Sequence, residues 1–302
     1  MAERIAPADQ TAACQTVTDQ VPRPRLGITL CLLSMLIFAC QDGVTKVLVK
    51  DLPVAQMVMV RYWVFFAFAI GYGLYHGELR AACRSRRPLL QVLRALVGVG
   101  EIALFGLGLR YLGLADMHAL YAVFPLMTLA MAGVFLREFI GVRRWVAAAV
   151  GFAGTLVILR PGTGVFDLTA MIPLLSALGF AIFNILTRRI SQDDSFATNA
   201  LYMGFIGALV VTLLGLPGWV SPSPSQWALL AIVSTTGVVA QLLVIQALRY
   251  ATAATLQPFN YALLVFATFI GLVVFGELPD TWTVVGACMV IAGGLYAVKA
   301  KS

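Results

Sequence analysis

An all-α integral membrane protein, with ten transmembrane helices forming two inverted five-helix repeats, is the fold that the sequence predicts. Three observations predict it. The chain of 302 residues is 60% hydrophobic and only 12% charged, about half the roughly 25% charge carried by a soluble domain. Its apolar stretches approach the ~20 residues that a helix needs to cross ~30 Å of hydrocarbon, whereas barrel strands are short and alternating. Finally, several short patterns recur at a nearly constant spacing.

Runs bounded by charge, Pro or Gly give ten spans: 26–50, 53–75, 88–111, 114–136, 141–160, 168–190, 196–216, 226–250, 253–276 and 281–299. Residues 1–25 are polar, contain Pro22 and Pro24, and lack the apolar centre of a signal peptide; they read as a disordered cytoplasmic tail. Connections are short and leave no room for a separate soluble domain. The net charge of +7 is scattered as small arginine groups between the apolar runs. Such groups suit loops at an anionic leaflet and are no nucleic-acid footprint. With a cytoplasmic N-terminus, the inner segments hold fifteen Lys and Arg and the outer ends four: Lys46, Lys50, Arg110 and Arg160. Both termini are therefore expected in the cytoplasm of a bacterial-type inner membrane. The five cysteines (Cys14, Cys31, Cys40, Cys83, Cys288) show no paired spacing, so no disulfide framework, metal or other cofactor is indicated.

"LRY" at 109–111 recurs at 248–250, an offset of 139 residues that also carries Glu138 onto Glu277 and Gly154 onto Gly293. "SMLIFACQDGVTK" (34–46) matches "SALGFAIFNILTR" (176–188) at an offset of 142. Two repeats follow, 26–160 and 168–299. Each holds five spans, and an odd number makes the second enter the bilayer from the opposite side. Inverted repeats are associated with secondary transporters that bind substrate near the midplane.

The residues also carry a family resemblance. Lys46 ends the first span, Arg61 sits in "VRYWVFF", and Pro125 precedes Glu138 by thirteen residues in "FPLMTLAMAGVFLRE". "LRPG" (159–162) and "FGELPDTWTVVGACMVIAGG" complete the set. Over residues 26–298 the chain resembles the drug/metabolite transporter superfamily, in its branch with two EamA-type five-helix repeats. Two departures stand out. The first span has "CQDG" where many relatives show a Trp-Gly-x-Asn type of sequence. Leu264 stands where Pro125 maps, with Pro258 six residues earlier. The resemblance implies a ten-helix, export-direction carrier of amino acids or similar metabolites, with aromatic amino-acid exporters the nearest comparison.

An ionised side chain at the centre of a membrane helix costs about 2.5–3.5 kcal/mol on insertion scales, so such residues face a cavity or a partner. Asp42 and Arg61 reach similar depths in the outer half, with Gln41 alongside. Lys46 follows Asp42 at i+4, on the same face. We expect Asp42, Arg61 and Lys46 to cluster beside an outward-facing vestibule, either as a structural ion pair or with Arg61 holding a substrate carboxylate. Glu101 sits near mid-depth among glycines, as a site for a proton or a substrate ammonium, or as a protonated partner of a neighbouring helix. His118 and Tyr121 lie near the outer end of the fourth span, Tyr121 one turn before Pro125, which is expected to kink it. Gln257, Pro258, Asn260 and Tyr261 answer them in the ninth. Asn184, Gln241 and Gln246 add amides for a neutral or zwitterionic solute, or for bonds between helices. Glu138 and Glu277 are expected to cap or pair locally. Small-residue spacings (Ala147 and Gly151, Gly293 and Ala297) point to close packing of the fifth and tenth spans.

The sequence holds no His-Glu-x-x-His, intramembrane aspartyl pair, Gly-x-Ser-x-Gly or Walker loop, so neither an enzyme nor an ATP-driven pump is indicated. The functional expectation is a secondary-active exporter of amino acids, aromatic ones included, or of similar small metabolites, working by alternating access as a monomer or weak homodimer. The alternatives are a channel or facilitator, or a carrier for nucleosides or drugs.

Overall fold

The computed structural model describes residues 24–135, 142–159, 168–190, 193–250 and 259–299. Among them the regular elements are helices: α1 (Pro24–Leu48), α2 (Val54–Tyr75), α3 (Leu79–Ala82), α4 (Pro88–Tyr111), α5 (Leu114–Tyr121), α6 (Phe124–Phe135), α7 (Val142–Leu159), α8 (Met171–Ile190), α9 (Phe196–Gly215), α10 (Pro224–Tyr250), α11 (Ala262–Phe275) and α12 (Thr281–Lys299). Helices α1, α2, α4, α8, α9 and α10 are long and apolar enough to cross a membrane, while α7, α11 and α12 carry shorter apolar stretches. The first helix starts at Pro24, so Pro24 and Arg25 leave the expected tail. The short α3 was not anticipated.

Local chemistry sets the helix ends. Pro53 precedes α2 and Pro88 opens α4, positions where a missing N–H leaves no helical bond unmade. Ser195 caps α9 by accepting from the Thr198 amide at 3.2 Å. Ahead of α10, Ser223 and Gln226 satisfy each other's backbone amides, a capping box. Gly276 ends α11 at φ +67°, a left-handed conformation that favours glycine.

The fourth span is not one helix. It breaks at Ala122–Val123, between α5 and α6. Pro125 cannot donate to the Tyr121 carbonyl, and its ring crowds that carbonyl, so the helix cannot run through. In the ninth span a turn at Tyr261 precedes α11. Tyr261 is the counterpart of Ala122 at the offset of 139. The two breaks correspond although Leu264 replaces the proline; Pro258 lies outside the described residues.

Helices pair across the two halves: α1 with α10, α4 with α8, α2 with α9, α7 with α12, α1 with α11 and α6 with α8. The repeat offsets exchange the first two pairings, leave the next two unchanged and exchange the last two. Single bonds follow the same rule. Ser34 donates to the Ala240 carbonyl at 2.8 Å, and Ser176 donates to the Glu101 carbonyl at 3.2 Å. The contact of α7 and α12 is close: a methyl placed on Gly154 would lie 2.7 Å from the Gly286 carbonyl oxygen.

Candidate functional site

The polar centre grows from five helices, α1, α2, α4, α5 and α8. Glu101, on α4, is 7% exposed. It accepts hydrogen bonds from the Tyr121 hydroxyl at 2.9 Å and the Ser176 hydroxyl at 3.3 Å. Arg61 on α2 and Asp42 on α1 both act on it electrostatically. One half-buried guanidinium thus acts at longer range on a buried carboxyl that also feels a second one. A burial cost of this kind demands partners or a ligand. Asp42 Oδ2 stands 3.2 Å from His118 Nε2, yet that nitrogen makes no hydrogen bond in this geometry. The separation suits an ion pair whenever the imidazole carries a second proton.

An aromatic wall adjoins these groups. His118 and Tyr121 are three residues apart, on one face of α5, and both meet the Phe105 ring. Tyr121 in turn meets Phe124 and Phe180, whose rings pack edge to face at 4.8 Å. Ser176, Phe180 and Phe183 follow the i, i+4, i+7 pattern of one helix face, which is why α8 presents a hydroxyl and then rings to the same region. A small cavity of about 20 Å³ lies between the two helix breaks. His118, Tyr121 and Pro125 line one side; Asn260 and Tyr261 line the other. The Tyr261 hydroxyl is buried without a partner. Broken helices meeting near mid-depth are where inverted-repeat carriers place substrate.

The expected trio of Asp42, Arg61 and Lys46 does not form. Lys46 reaches away from Asp42 to both carboxylate oxygens of Glu277, at 2.5 and 2.6 Å, and to the Leu112 carbonyl at 3.0 Å. Those three acceptors occupy its three donors. Glu277 also accepts the Leu114 amide at 3.0 Å, in the first turn of α5. It therefore pairs across the molecule rather than only locally, and ties α1, the α4–α5 link and the end of α11 together. Leu48, Leu52, Leu109, Leu114 and Met117 are fully buried around the same end. Asp42 is itself buried, 8% exposed.

Other expectations divide. Asn184 donates to the Phe180 carbonyl of its own helix at 2.9 Å. Gln241 and Gln246 are exposed on α10. Asn260 accepts from Cys31 at 3.5 Å and borders the cavity. Gln257, Pro258 and Glu138 lie outside the described residues. Arg94, the other deep arginine, is held by the Gln91 side chain, the Asn199 carbonyl and the Phe183 ring. Ser176, Phe105, Phe180 and Gly237 were not singled out as site residues. For Ser176 the signal existed, since the repeat aligns it with Ser34; for the rings, burial hides function behind ordinary apolar character.

A polar network closes the opposite end. Asp194, in the α8–α9 link, accepts from the Ser85 hydroxyl, the Arg86 amide and the Gln91 side chain. Burial pushes the Asp194 carboxyl up, but those three bonds and the Arg86 charge together hold it below its usual value of 3.8. Arg87 and Asp193 add an ion pair at 2.5 Å.

The model of the EamA-like transporter family matches residues 25–160 and again 168–298. An S-adenosylmethionine uptake transporter of Rickettsia prowazekii (strain Madrid E) is 27% identical over 91% of this chain and 93% of its own. A riboflavin transporter of Vibrio cholerae is 28% identical over 89% and 91%. The pseudopaline exporter CntI of Pseudomonas aeruginosa is 24% identical over 91% and 96%. Among solved structures, the crystal structure of a protein 17% identical in sequence superposes with a TM-score of 0.62 over 91% of this chain and 95% of the other, a likeness of fold.

Proposed function

Because the chain belongs to the EamA-like transporter family, we propose that it is a secondary-active carrier of S-adenosylmethionine or a closely similar zwitterion with an additional positive charge. One observation carries the reading: the half-buried Arg61 guanidinium and the buried Asp42 carboxyl both act electrostatically on the buried Glu101, one positive group set against two acids. S-adenosylmethionine brings the complementary set, one carboxylate with an ammonium and a sulfonium, and an adenine ring suited to Phe105, Tyr121, Phe124 and Phe180. Aromatic faces also attract cations. A neutral flavin needs none of the three ionisable groups. An ordinary aromatic amino acid would answer Arg61 and only one of the acids. This reading replaces the expected amino-acid exporter, because the similar proteins are named for S-adenosylmethionine, riboflavin and pseudopaline.

The proposed mechanism is alternating access, with the two halves rocking about the site between the helix breaks. In this conformation the Lys46–Glu277 pair closes the end assigned to the exterior. A carrier without an ATP site runs in either direction, so the solute gradient decides between export and uptake. The proposed orientation keeps both termini in the cytoplasm of a bacterial inner membrane. The intrachain fit of α7 on α12 supports a monomer as the working unit.

The test is uptake of radiolabelled S-adenosylmethionine by cells expressing the chain, with competitors. Saturable uptake displaced by unlabelled S-adenosylmethionine and not by riboflavin is expected. Displacement by riboflavin with no effect of S-adenosylmethionine would move the substrate to the flavins. Non-saturating flux would favour the channel alternative.

A further inference from the structure

The two halves of the chain build the same corner from different chemistry. At the offset of 142, Gln41 and Arg61 map onto Phe183 and Met203; at 139, Gly98 maps onto Gly237. The structure brings each set together. A methyl placed on Gly98 would lie 2.5 Å from Met203 Cε and 3.2 Å from Phe183 Cδ2. A methyl placed on Gly237 would lie 2.8 Å from Gln41 Oε1 and 3.7 Å from Arg61 Nη2. In both halves two long side chains, from α8 and α9 or from α1 and α2, converge over a glycine of α4 or α10.

Packing alone asks only for bulk there, and the second half supplies it with Phe183 and Met203. The first half supplies an amide and a guanidinium instead. Neither is consumed by the protein. Among the described residues Arg61 makes no hydrogen bond and no ion pair; it feels Glu101 only at longer range. Gln41 is 3% exposed and its Oε1 has no partner. A guanidinium is a planar fork of donors matched to a carboxylate, and a glycine opposite it lets the polar ends of Gln41 and Arg61 lie against the backbone of α10.

We propose that Arg61, Gln41 and Gly237 form a carboxylate subsite that fixes which end of a zwitterionic solute faces α2 and α10. Arg61 takes the carboxylate, Gly237 lets Gln41 and Arg61 approach α10 side by side, and Asp42 with Glu101 takes the cationic end. This deepens the substrate reading above and rests on it only for the first probe. Arg61→Met is the natural variant, because it installs the residue that the molecule already packs at the mirror position.

The experiment measures binding to the purified full chain in detergent with two matched pairs. One is S-adenosylmethionine and its decarboxylated form; the other is L-tryptophan and L-tryptophanamide. In the wild type the carboxylate member of at least one pair binds at least about 10-fold more tightly, as expected for charge-assisted hydrogen bonds. Arg61→Met removes that preference and leaves the decarboxylated or amide member unchanged, and Gly237→Ala reduces the preference in part. A wild type that ignores S-adenosylmethionine but prefers tryptophan over its amide overturns the substrate reading and sustains the subsite. Absence of carboxylate preference in both pairs overturns the subsite, as does a preference that survives Arg61→Met. Equal loss of both members in Arg61→Met would also overturn it, by showing a structural role only.

Discussion

Lys46 and Glu277 couple residues 231 apart in sequence, and replacing either should release one end of the molecule. The closest N–O separation is 2.5 Å, with side chains 7% and 34% exposed. At that separation the attraction amounts to about 6–7 kcal/mol for an effective dielectric near 20. Desolvating Lys46 offsets several kcal/mol of it, and the exposed third of Glu277 weakens it further. A net coupling of about 3 kcal/mol remains, roughly 100-fold in the equilibrium for parting the joined segments. Glu277→Gln leaves the ammonium buried against a neutral amide; Lys46→Met leaves the carboxylate with only the Leu114 amide. Unfolding in detergent of both single variants and the double variant forms a thermodynamic cycle. The double variant should cost about 3 kcal/mol less than the sum of the singles. Hydrogen exchange at the Leu114 amide, which donates to Glu277, should accelerate in all three. Additive costs with an unchanged Leu114 amide would refute the latch.

Glu101→Gln should raise the half-saturation concentration for S-adenosylmethionine while Tyr121→Phe lowers the transport rate, measured as flux against substrate concentration; an unchanged half-saturation in Glu101→Gln removes the acid from the site. Asp194→Asn should destabilise the protein near neutral pH. The carboxyl is held below its usual 3.8, so its contribution is complete above that value and fades as pH falls through the lower folded value. Melting curves of wild type and variant should therefore converge on acidification, and a constant gap would contradict this. Gly154→Ala should cost about 2 kcal/mol, because the new methyl meets the Gly286 carbonyl and Met289 Cβ at 2.7 and 2.8 Å. Backbone cannot move aside as a flexible side chain can. Unfolding of the variant gives the number.

Span positions were legible because hydrocarbon thickness fixes the length of an apolar run, and α1, α2, α4, α8, α9 and α10 appear close to where that rule puts them. Pairing between the halves was legible through the repeat, and Ser34 with Ser176 shows its register down to single carbonyls. What periodicity could not give was the reach of long side chains. Asp42 and Lys46 share a face of α1, yet four methylenes let the ammonium choose Glu277 over a neighbour one turn away. The turn at Tyr261 was hidden because Leu264 offers no proline to announce it. Gly237 was invisible alone, since a glycine in a membrane helix usually reports packing. Only beside Gly98, under Phe183 and Met203, does its polar company become informative.

Counterflow in proteoliposomes containing only the purified chain isolates substrate choice from every other cellular process. Vesicles loaded with unlabelled S-adenosylmethionine should accumulate the labelled compound transiently and saturably. Vesicles loaded with riboflavin should not, and Arg61→Met should shift half-saturation upward. Counterflow driven by riboflavin and indifferent to S-adenosylmethionine and to Arg61 would contradict the charge-matched site.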